Sequence, residues 1–326
     1  METVRVSGSG SADVEAFVRK WNDSEPFIEA HTSGSTGKPK AIRLLKRDML
    51  VSAEKTCRFF GIDRDSLLGL PLSLSYIAGK MMAVRALASG AELWCEQPSM
   101  NLLNDYTMGR KIDLLSVVPA QIPNLLNSGR MDYVKHLLIG GAPLSYKSEA
   151  QLLDAKVSAF CSYGMTETCS HVALRKIGTH YYTGLDGISF SIDDRGCLII
   201  RLEDFSIGEI TTNDIVKLID ENRFEWLGRY DNVINSGGIK LQPEAIERKI
   251  ADCLPDNNYY ITWRTSERWG EEIVLVVESA SEIANLMHEI SKRLTRYETP
   301  KAIIYKKILE RTTSGKIKRQ HQIRRL

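Results

Sequence analysis

The stretch DLLSVVPAQIPNLLNSGRMDYVKHLLIGGAPLSYKSEAQLLDAKVSAFC, from Asp113 to Cys161, decides the fold class. Three short apolar runs in it, Asp113–Val118, His136–Ile139 and Val157–Cys161, read as buried strands. The segments between them, Ala120–Asn127 and Ser145–Asp154, read as amphipathic helices. The same alternation runs upstream, with strands expected at Phe27–Ala30, Leu67–Leu70 and Ala91–Trp94 and helices over Leu45–Phe60, Ile77–Ser89 and Leu102–Arg110. Strand–helix alternation predicts an α/β fold whose sheet is mostly parallel and covered by helices.

Downstream the text changes. From Gly187 to Ile219 it is β-rich and broken by turns such as Asp193-Asp-Arg-Gly196, which predicts an antiparallel section. A polar, glycine-rich stretch, Gly228–Gly238, then leads into a smaller α/β unit. There Pro243–Cys253 and Glu282–Leu294 are expected as helices, and Tyr259–Trp263 and Ile273–Glu278 as strands. The expected organisation is a core domain over residues 1–229 and a small, mobile C-terminal domain over 230–326.

Composition narrows the function classes. The 326 residues are 43% hydrophobic and 26% charged, ordinary values for a globular chain. A net charge of +2 from 43 basic and 41 acidic side chains predicts no general affinity for nucleic acid or for a membrane. The balance is local: Lys301–Leu326 holds nine Lys or Arg against one acid, Glu310. The six cysteines form no Cys-x-x-Cys pair and the six histidines no metal-ligand spacing. No apolar run reaches about 18 residues and no signal-peptide layout opens the chain, so a soluble, cytoplasmic protein is expected.

Chemistry enters with His31-Thr-Ser-Gly-Ser-Thr-Gly-Lys-Pro-Lys40, which follows the first strand. Glycine lets backbone N–H groups approach a phosphate, hydroxyls donate to its oxygens, and lysine neutralises charge. The segment is not a Walker A loop, because Gly34 and Gly37 are too close and Pro39 follows the lysine. A Ser/Gly linker is the bland alternative, but linkers rarely carry Lys-Pro-Lys and then resume as a strand.

This loop resembles the phosphate loop of the adenylate-forming superfamily, which comprises acyl- and aryl-CoA synthetases, nonribosomal adenylation domains and luciferases. Further segments match in the same order: Gly140-Gly-Ala-Pro-Leu144, Ser162-Tyr-Gly-Met-Thr-Glu-Thr168, Thr211-Thr-Asn-Asp214, the long Gly228–Glu247 stretch, and Thr312-Thr-Ser-Gly-Lys-Ile-Lys-Arg319. The resemblance runs from about His31 to the C-terminus. Superfamily members carry a long region ahead of the phosphate loop, whereas about thirty residues precede it here. That puts the outer N-terminal subdomain in doubt and leaves the ATP site untouched.

The resemblance implies roles residue by residue. Thr32, Ser33, Gly34, Ser35, Thr36, Gly37 and Lys40 would bind the phosphates of ATP. Gly140, Gly141 and Ala142 would form the floor of the adenine and acyl pocket, and Tyr163 would stack on adenine. Thr166 would touch phosphate, and Glu167 would hold Mg²⁺, the usual bridge between a carboxylate and a polyphosphate. Asp214 would hold the ribose hydroxyls, although Asn213 replaces the family's glycine; asparagine tolerates a left-handed turn. Arg229 would contact ribose or phosphate, and Asp231 would be the hinge. Gly238 and Lys240 would belong to the turn that serves the thioester step, and Lys316 would be the catalytic lysine.

Pro71-Leu-Ser-Leu-Ser-Tyr-Ile-Ala-Gly79 resembles the segment that sets an aromatic gate beside the acyl pocket, with Tyr76 as the gate. Lys80 and Arg85 follow on the helix; they are either exposed helix cations or, together with His171, partners for a charged group on the acid. The implied activity is an AMP-forming acid–thiol ligase using ATP, Mg²⁺ and coenzyme A on a small carboxylic acid. The short chain is most like the o-succinylbenzoyl-CoA synthetases of menaquinone synthesis. The alternatives are another aryl- or acyl-CoA synthetase, an adenylation domain loading a carrier-protein thiol, and a non-catalytic nucleotide-binding relic.

Overall fold

The computed structural model describes residues 3–31, 41–155, 157–255, 257–311 and 317–319. The expected phosphate loop and Lys316 lie outside them. The chain divides into two units, Met1–Ser189 with Arg201–Glu209, and Phe190–Ile200 with Ile210–Leu326.

In the first unit the strands β1 (Arg5–Ser7), β2 (Phe27–His31), β3 (Ala41–Leu45), β4 (Leu67–Leu70), β5 (Glu92–Cys95), β6 (Ile112–Val117), β7 (Val134–Ile139), β8 (Ser158–Gly164), β9 (His171–Lys176) and β10 (Tyr182–Gly184) alternate with helices. The helices are α1 (Ser11–Trp21), α2 (Lys46–Phe60), α3 (Ile77–Ser89), α4 (Ile122–Asn127) and α5 (Tyr146–Asp154). The sheet runs β1-β5-β4-β6-β7-β8-β9-β10. It is parallel through β8, and β9 and β10 then pair antiparallel. This is the helix-covered, mostly parallel sheet the sequence predicts. Its core packs Leu67, Leu115, Leu137 and Ile139 against Ile122, Leu125 and Leu152 of the covering helices. The register Val117↔Ile139↔Cys161 brings the carboxyl ends of β6 and β7 level, and β8 runs past them to Gly164. In open α/β sheets that edge is where ligands bind.

Two expectations need correction here. Phe27–Ala30 is a strand, but β2 pairs antiparallel with β3 in its own two-stranded ribbon rather than in the parallel sheet. Its register closes at His31↔Ala41, so the two strands are the arms flanking residues 32–40. The helix expected over Leu102–Arg110 does not form: the segment is turns and bends. Leu103 is left-handed at φ 62°, and its N–H donates to both oxygens of the buried Glu96 carboxylate at 3.1 Å. Leu102, Leu103 and Tyr106 bury all the same, so core contact rather than helical periodicity placed the apolar residues.

The second unit contains most of the meander β11 (Ile188–Ile192), β12 (Cys197–Leu202), β13 (Glu209–Asp220) and β14 (Arg223–Arg229), with β13 and β14 antiparallel. It continues with β15 (Ile234–Ser236), β16 (Ile239–Leu241), α6 (Pro243–Lys249), β17 (Tyr259–Ser266), β18 (Gly270–Glu278), α7 (Leu286–Ser291) and β19 (Ile303–Lys306). These strands form a five-stranded sheet, β16-β15-β18-β17 with β19 on β18. Ile246, Ile250, Leu286 and Ile290 cover it with Ile261, Ile273 and Leu275. The expected boundary at 229/230 falls between the meander and this sheet. Helix α6 stops at Lys249 and hands over to a 3₁₀ turn at Ala251–Cys253. Helix α7 is shorter than expected because Asn285 is left-handed at φ 57° just before it. Among the described residues no helix is long and apolar enough to cross a membrane.

Candidate functional site

In the first unit the site residues gather at the carboxyl ends of β7 and β8. Gly140 follows β7, its N–H donating to Val117 O at 3.1 Å. A Cβ there would lie 2.6 Å from Ser162 Oγ, which itself donates to Ile139 O at 3.1 Å. Glycine at 140 thus lets the chain cross the end of β8 closely, and Gly141 turns it at φ 88°. Ala142 follows, half-buried. Tyr163 is half-buried on β8, its ring 5.7 Å from that of Tyr182.

Thr166, Glu167 and Thr168 form a 3₁₀ turn immediately after β8. Thr168 is fully buried; its Oγ1 accepts from Met165 N at 3.0 Å and can donate to Ser170 O at 2.6 Å. Those bonds consume Thr168 in holding the turn. Glu167 is exposed, and among the described residues no hydrogen bond or ion pair engages its carboxylate. A lone exposed carboxylate suits Mg²⁺, which commonly takes one or two carboxylates and completes its octahedron with water and substrate phosphate. Among the described residues no cluster of three metal-ligating side chains occurs.

Arg85 departs from the plain reading of the sequence, in which it solvates a helix. It is 1% exposed, buried between α3 and the start of β9. Its Nη2 donates to Ser170 Oγ at 2.8 Å and lies 3.5 Å from His171 Nδ1, while Nη1 reaches Met82 Sδ at 3.3 Å. Its Nε has no partner, and among the described residues no carboxylate pairs with it. Burial pushes its pKa down to about 10, so it stays cationic at neutral pH. His171 is buried beside it, and burial, followed by the Arg85 charge, holds its pKa well below the ordinary value. His171 Nε2 is 3.1 Å from Thr56 Oγ1, whose own proton goes to Ser52 O at 3.0 Å. The ring therefore carries its proton on Nε2 and turns a bare Nδ1 toward Ser170 and Arg85.

The other two residues of the expected acid pocket sit elsewhere. Lys80 is half-buried, donates to Leu74 O at 2.6 Å, and burial lowers its pKa. It lines a cavity with Phe17, Phe27, Ile28 and Arg43 and does not join the Arg85 cluster. Tyr76 caps the start of α3 and is 46% exposed.

In the second unit Asp214 on β13 faces Arg229 on β14 in register. Trp226 Nε1 donates to Asp214 Oδ1 at 3.1 Å, and Arg229 Nε stands 3.8 Å from the same oxygen. Arg229 Nη2 also donates to Asp231 Oδ2 at 3.1 Å, which Asn213 Nδ2 reaches at 3.4 Å. Asn213 lies within β13 and is not left-handed, so the turn expected at the Thr-Asn-Asp segment is a continuous strand. Gly237 and Gly238, at φ 59° and 85°, make the two-residue hairpin between β15 and β16. Lys240 follows on β16, exposed, opposite Asn235.

The structure adds partners that motif reading passes over. Ser170 and Thr56 complete the Arg85 cluster. Arg319 donates to both oxygens of Glu247 on α6, at 2.6 and 2.7 Å. With the bridge Arg311↔Ile317, this pair closes the chain on either side of residues 312–316. The sequence shows an arginine in the basic tail and a glutamate in the preceding amphipathic helix, but nothing in their spacing joins them.

Residues 7–223 match the sequence model of the AMP-binding enzyme family. The 2-succinylbenzoate–CoA ligase of Haemophilus influenzae is 27% identical over 88% of this chain and 68% of its own length. That of Escherichia coli is 28% identical over 87% and 66% respectively, so the chain spans about two thirds of these relatives. Among solved structures, an acyl-CoA synthetase (AMP-forming)/AMP-acid ligase II-like protein from Dyadobacter fermentans is 34% identical with a TM-score of 0.64, covering 94% of this chain and 91% of that one. The o-succinylbenzoate CoA synthetase of Bacillus subtilis, in complex with ATP and magnesium ion, superposes with a TM-score of 0.76 at 20% identity, over 89% of this chain and 68% of that one, and shares the fold. On its sequence and its architecture alike, this chain belongs to the AMP-binding enzyme family.

Proposed function

We propose that the chain is an ATP-dependent acid–CoA ligase and that its acid is o-succinylbenzoate. The observation that carries the choice of acid is Arg85: a buried guanidinium with an unused Nε and no carboxylate partner among the described residues. A buried unpaired cation is costly, and an anionic group on the ligand would offset that cost. o-Succinylbenzoate carries one carboxylate to be activated and a second that must be held unreacted. The relatives with known activity point the same way, being 2-succinylbenzoate–CoA ligases.

In the first half-reaction the succinyl carboxylate attacks the α-phosphate of ATP in line and pyrophosphate leaves. Glu167 would hold Mg²⁺, which when bound would neutralise charge on the phosphates. Thr166 and the hydroxyls and N–H groups of residues 32–37, with Lys40, orient the phosphates, and Lys316 stabilises the charge that develops on the α-phosphate. Tyr163 and the Gly140–Ala142 crossing take the adenine, and Asp214 takes the ribose hydroxyls with Arg229 beside it. In the second half-reaction the C-terminal segment turns about Asp231. The Gly238–Lys240 hairpin then serves the coenzyme A thiol, which displaces AMP. Tyr76 gates the acid.

The test is pyrophosphate release and thioester formation across a panel of acids with ATP and coenzyme A. o-Succinylbenzoate should be the preferred acid, and its analogue without the ring carboxylate should lose about 2–4 kcal/mol in kcat/KM. Arg85→Ala should erase most of that difference. Turnover of another acid with none of o-succinylbenzoate would remove the acid assignment and leave the ligase standing.

A further inference from the structure

A ring that stacks on a base has to keep its plane, and the torsion that sets the plane of a tyrosine ring is soft. What fixes Tyr163 must therefore come from its neighbours. Across the sheet Cys161 on β8 pairs with Arg175 on β9, and Tyr163 pairs with Ala173. Ala173 pairs in turn with Gly184 on β10. Alternation along each strand puts Cys161 and Tyr163 on one face of β8, with Arg175 and Ala173 on the same face of β9. Tyr182, two residues before Gly184, shares that face on β10.

This face is anchored from α5. Arg175 donates to both oxygens of the Glu149 carboxylate, at 2.6 and 3.0 Å, and to Thr179 O at 2.7 Å. Its Nη2 also reaches Cys161 Sγ at 3.5 Å. A two-pronged guanidinium–carboxylate pair is geometrically strict, so Arg175 is a fixed point. The Tyr182 hydroxyl accepts from Arg175, and the Tyr182 ring packs against the core that includes Ile139 and Leu152. Held at both ends, Tyr182 turns its ring to Tyr163, the centroids 5.7 Å apart and the planes at 58°. Tilted aromatic pairs at this separation attract. The two rings meet across β9 because the residue between them, Ala173, is too small to keep them apart.

We infer that Tyr182 is a positioning residue for ATP: anchored through Arg175 to Glu149, it braces the ring of Tyr163 in the plane that the adenine meets. This rests on the proposal that Tyr163 stacks on the adenine. Tyr182 belongs to none of the motif segments, and its role comes from the register of three strands rather than from its place in the sequence.

The experiment measures kcat and the KM values of ATP and of the acid, using whichever acid the panel shows to be turned over, in wild type, Tyr182→Leu, Tyr182→Phe and Tyr163→Leu. Tyr182→Leu should raise KM for ATP about fivefold, the worth of one aromatic pair. It should leave kcat within about twofold and KM for the acid unchanged, the pattern of lost uniform binding. Tyr182→Phe keeps the ring and should recover most of the loss. Glu149→Gln loosens the anchor and should raise KM for ATP about twofold, which keeps the inference open to refutation where Tyr182→Leu does not fold. An unchanged KM for ATP in Tyr182→Leu, beside a raised one in Tyr163→Leu, would overturn the inference. Equal rises in KM for ATP and for the acid would do the same, being the mark of a general loosening. If Tyr163→Leu itself leaves KM for ATP unchanged, the assignment of Tyr163 to adenine falls, so the two failures are distinct.

Discussion

At the residue scale the sequence names chemistry better than it names surroundings. Lys316 is assigned by its Gly-Lys motif, and its ammonium matters only while charge builds on the α-phosphate. Lys316→Ala should lose adenylation by several orders of magnitude, one preorganised cation being worth about 3–5 kcal/mol in such a step. The variant should still convert supplied acyl-adenylate to thioester; equal loss in both half-reactions would show that the lysine is misplaced. Arg85 shows the limit of this kind of reading. Its position after the Tyr76 segment was visible, but the sequence pattern alone allowed an exposed helix cation. Burial by β9 and the partners Ser170 and His171 come from about 85 residues away, a distance over which no local pattern reports. Asp214 and Arg229 were both legible as motif residues, while Trp226, which holds Asp214 in place, was not.

Short apolar runs and long apolar stretches bounded by glycine were legible nearly to the residue: Leu67–Leu70 and Ile77–Ser89 form as expected. Leu102–Arg110 failed because a buried carboxylate, not a helix, satisfies its backbone. That strap has a pH signature. Burial raises the Glu96 carboxyl to about 7, against an ordinary value of 4.5. The folded chain thus binds a proton that the unfolded chain has released, so stability falls as pH rises from about 4.5 to 7 and levels above that, by on the order of 3 kcal/mol in all. Glu96→Gln removes this dependence. The melting temperature of the variant relative to wild type should therefore climb between pH 5 and pH 8, and a flat difference would sink the assignment. The ribbon β2–β3 carries a similar lesson in reverse. The strands were legible, but their partner was not, since an apolar run does not announce which edge it will join.

For the whole molecule the fold class was legible. The parallel sheet followed from alternation, and the β-rich section from its turns; the placing of the meander in one unit with the C-terminal sheet depends on contacts that sequence does not order. The hinge proposal belongs at this scale. Asp231 sits in a 3₁₀ turn between β14 and β15, held by Arg229 and Asn213. Asp231→Pro fixes φ there and should slow thioester formation more than adenylation, measured in single turnovers. Wild-type rates in both would place the swing elsewhere. Finally, a guanidinium buried without an opposing charge among the described residues makes the resting enzyme a sensor of its buffer. An anion that pairs with this buried charge binds the folded chain alone and raises its melting point by mass action. o-Succinylbenzoate without nucleotide should lift the melting temperature of wild type, and benzoate should lift it less. With Arg85→Met the response should vanish while the starting melting temperature holds or rises, because exchanging a buried lone charge for a thioether relieves the strain that the empty site imposes.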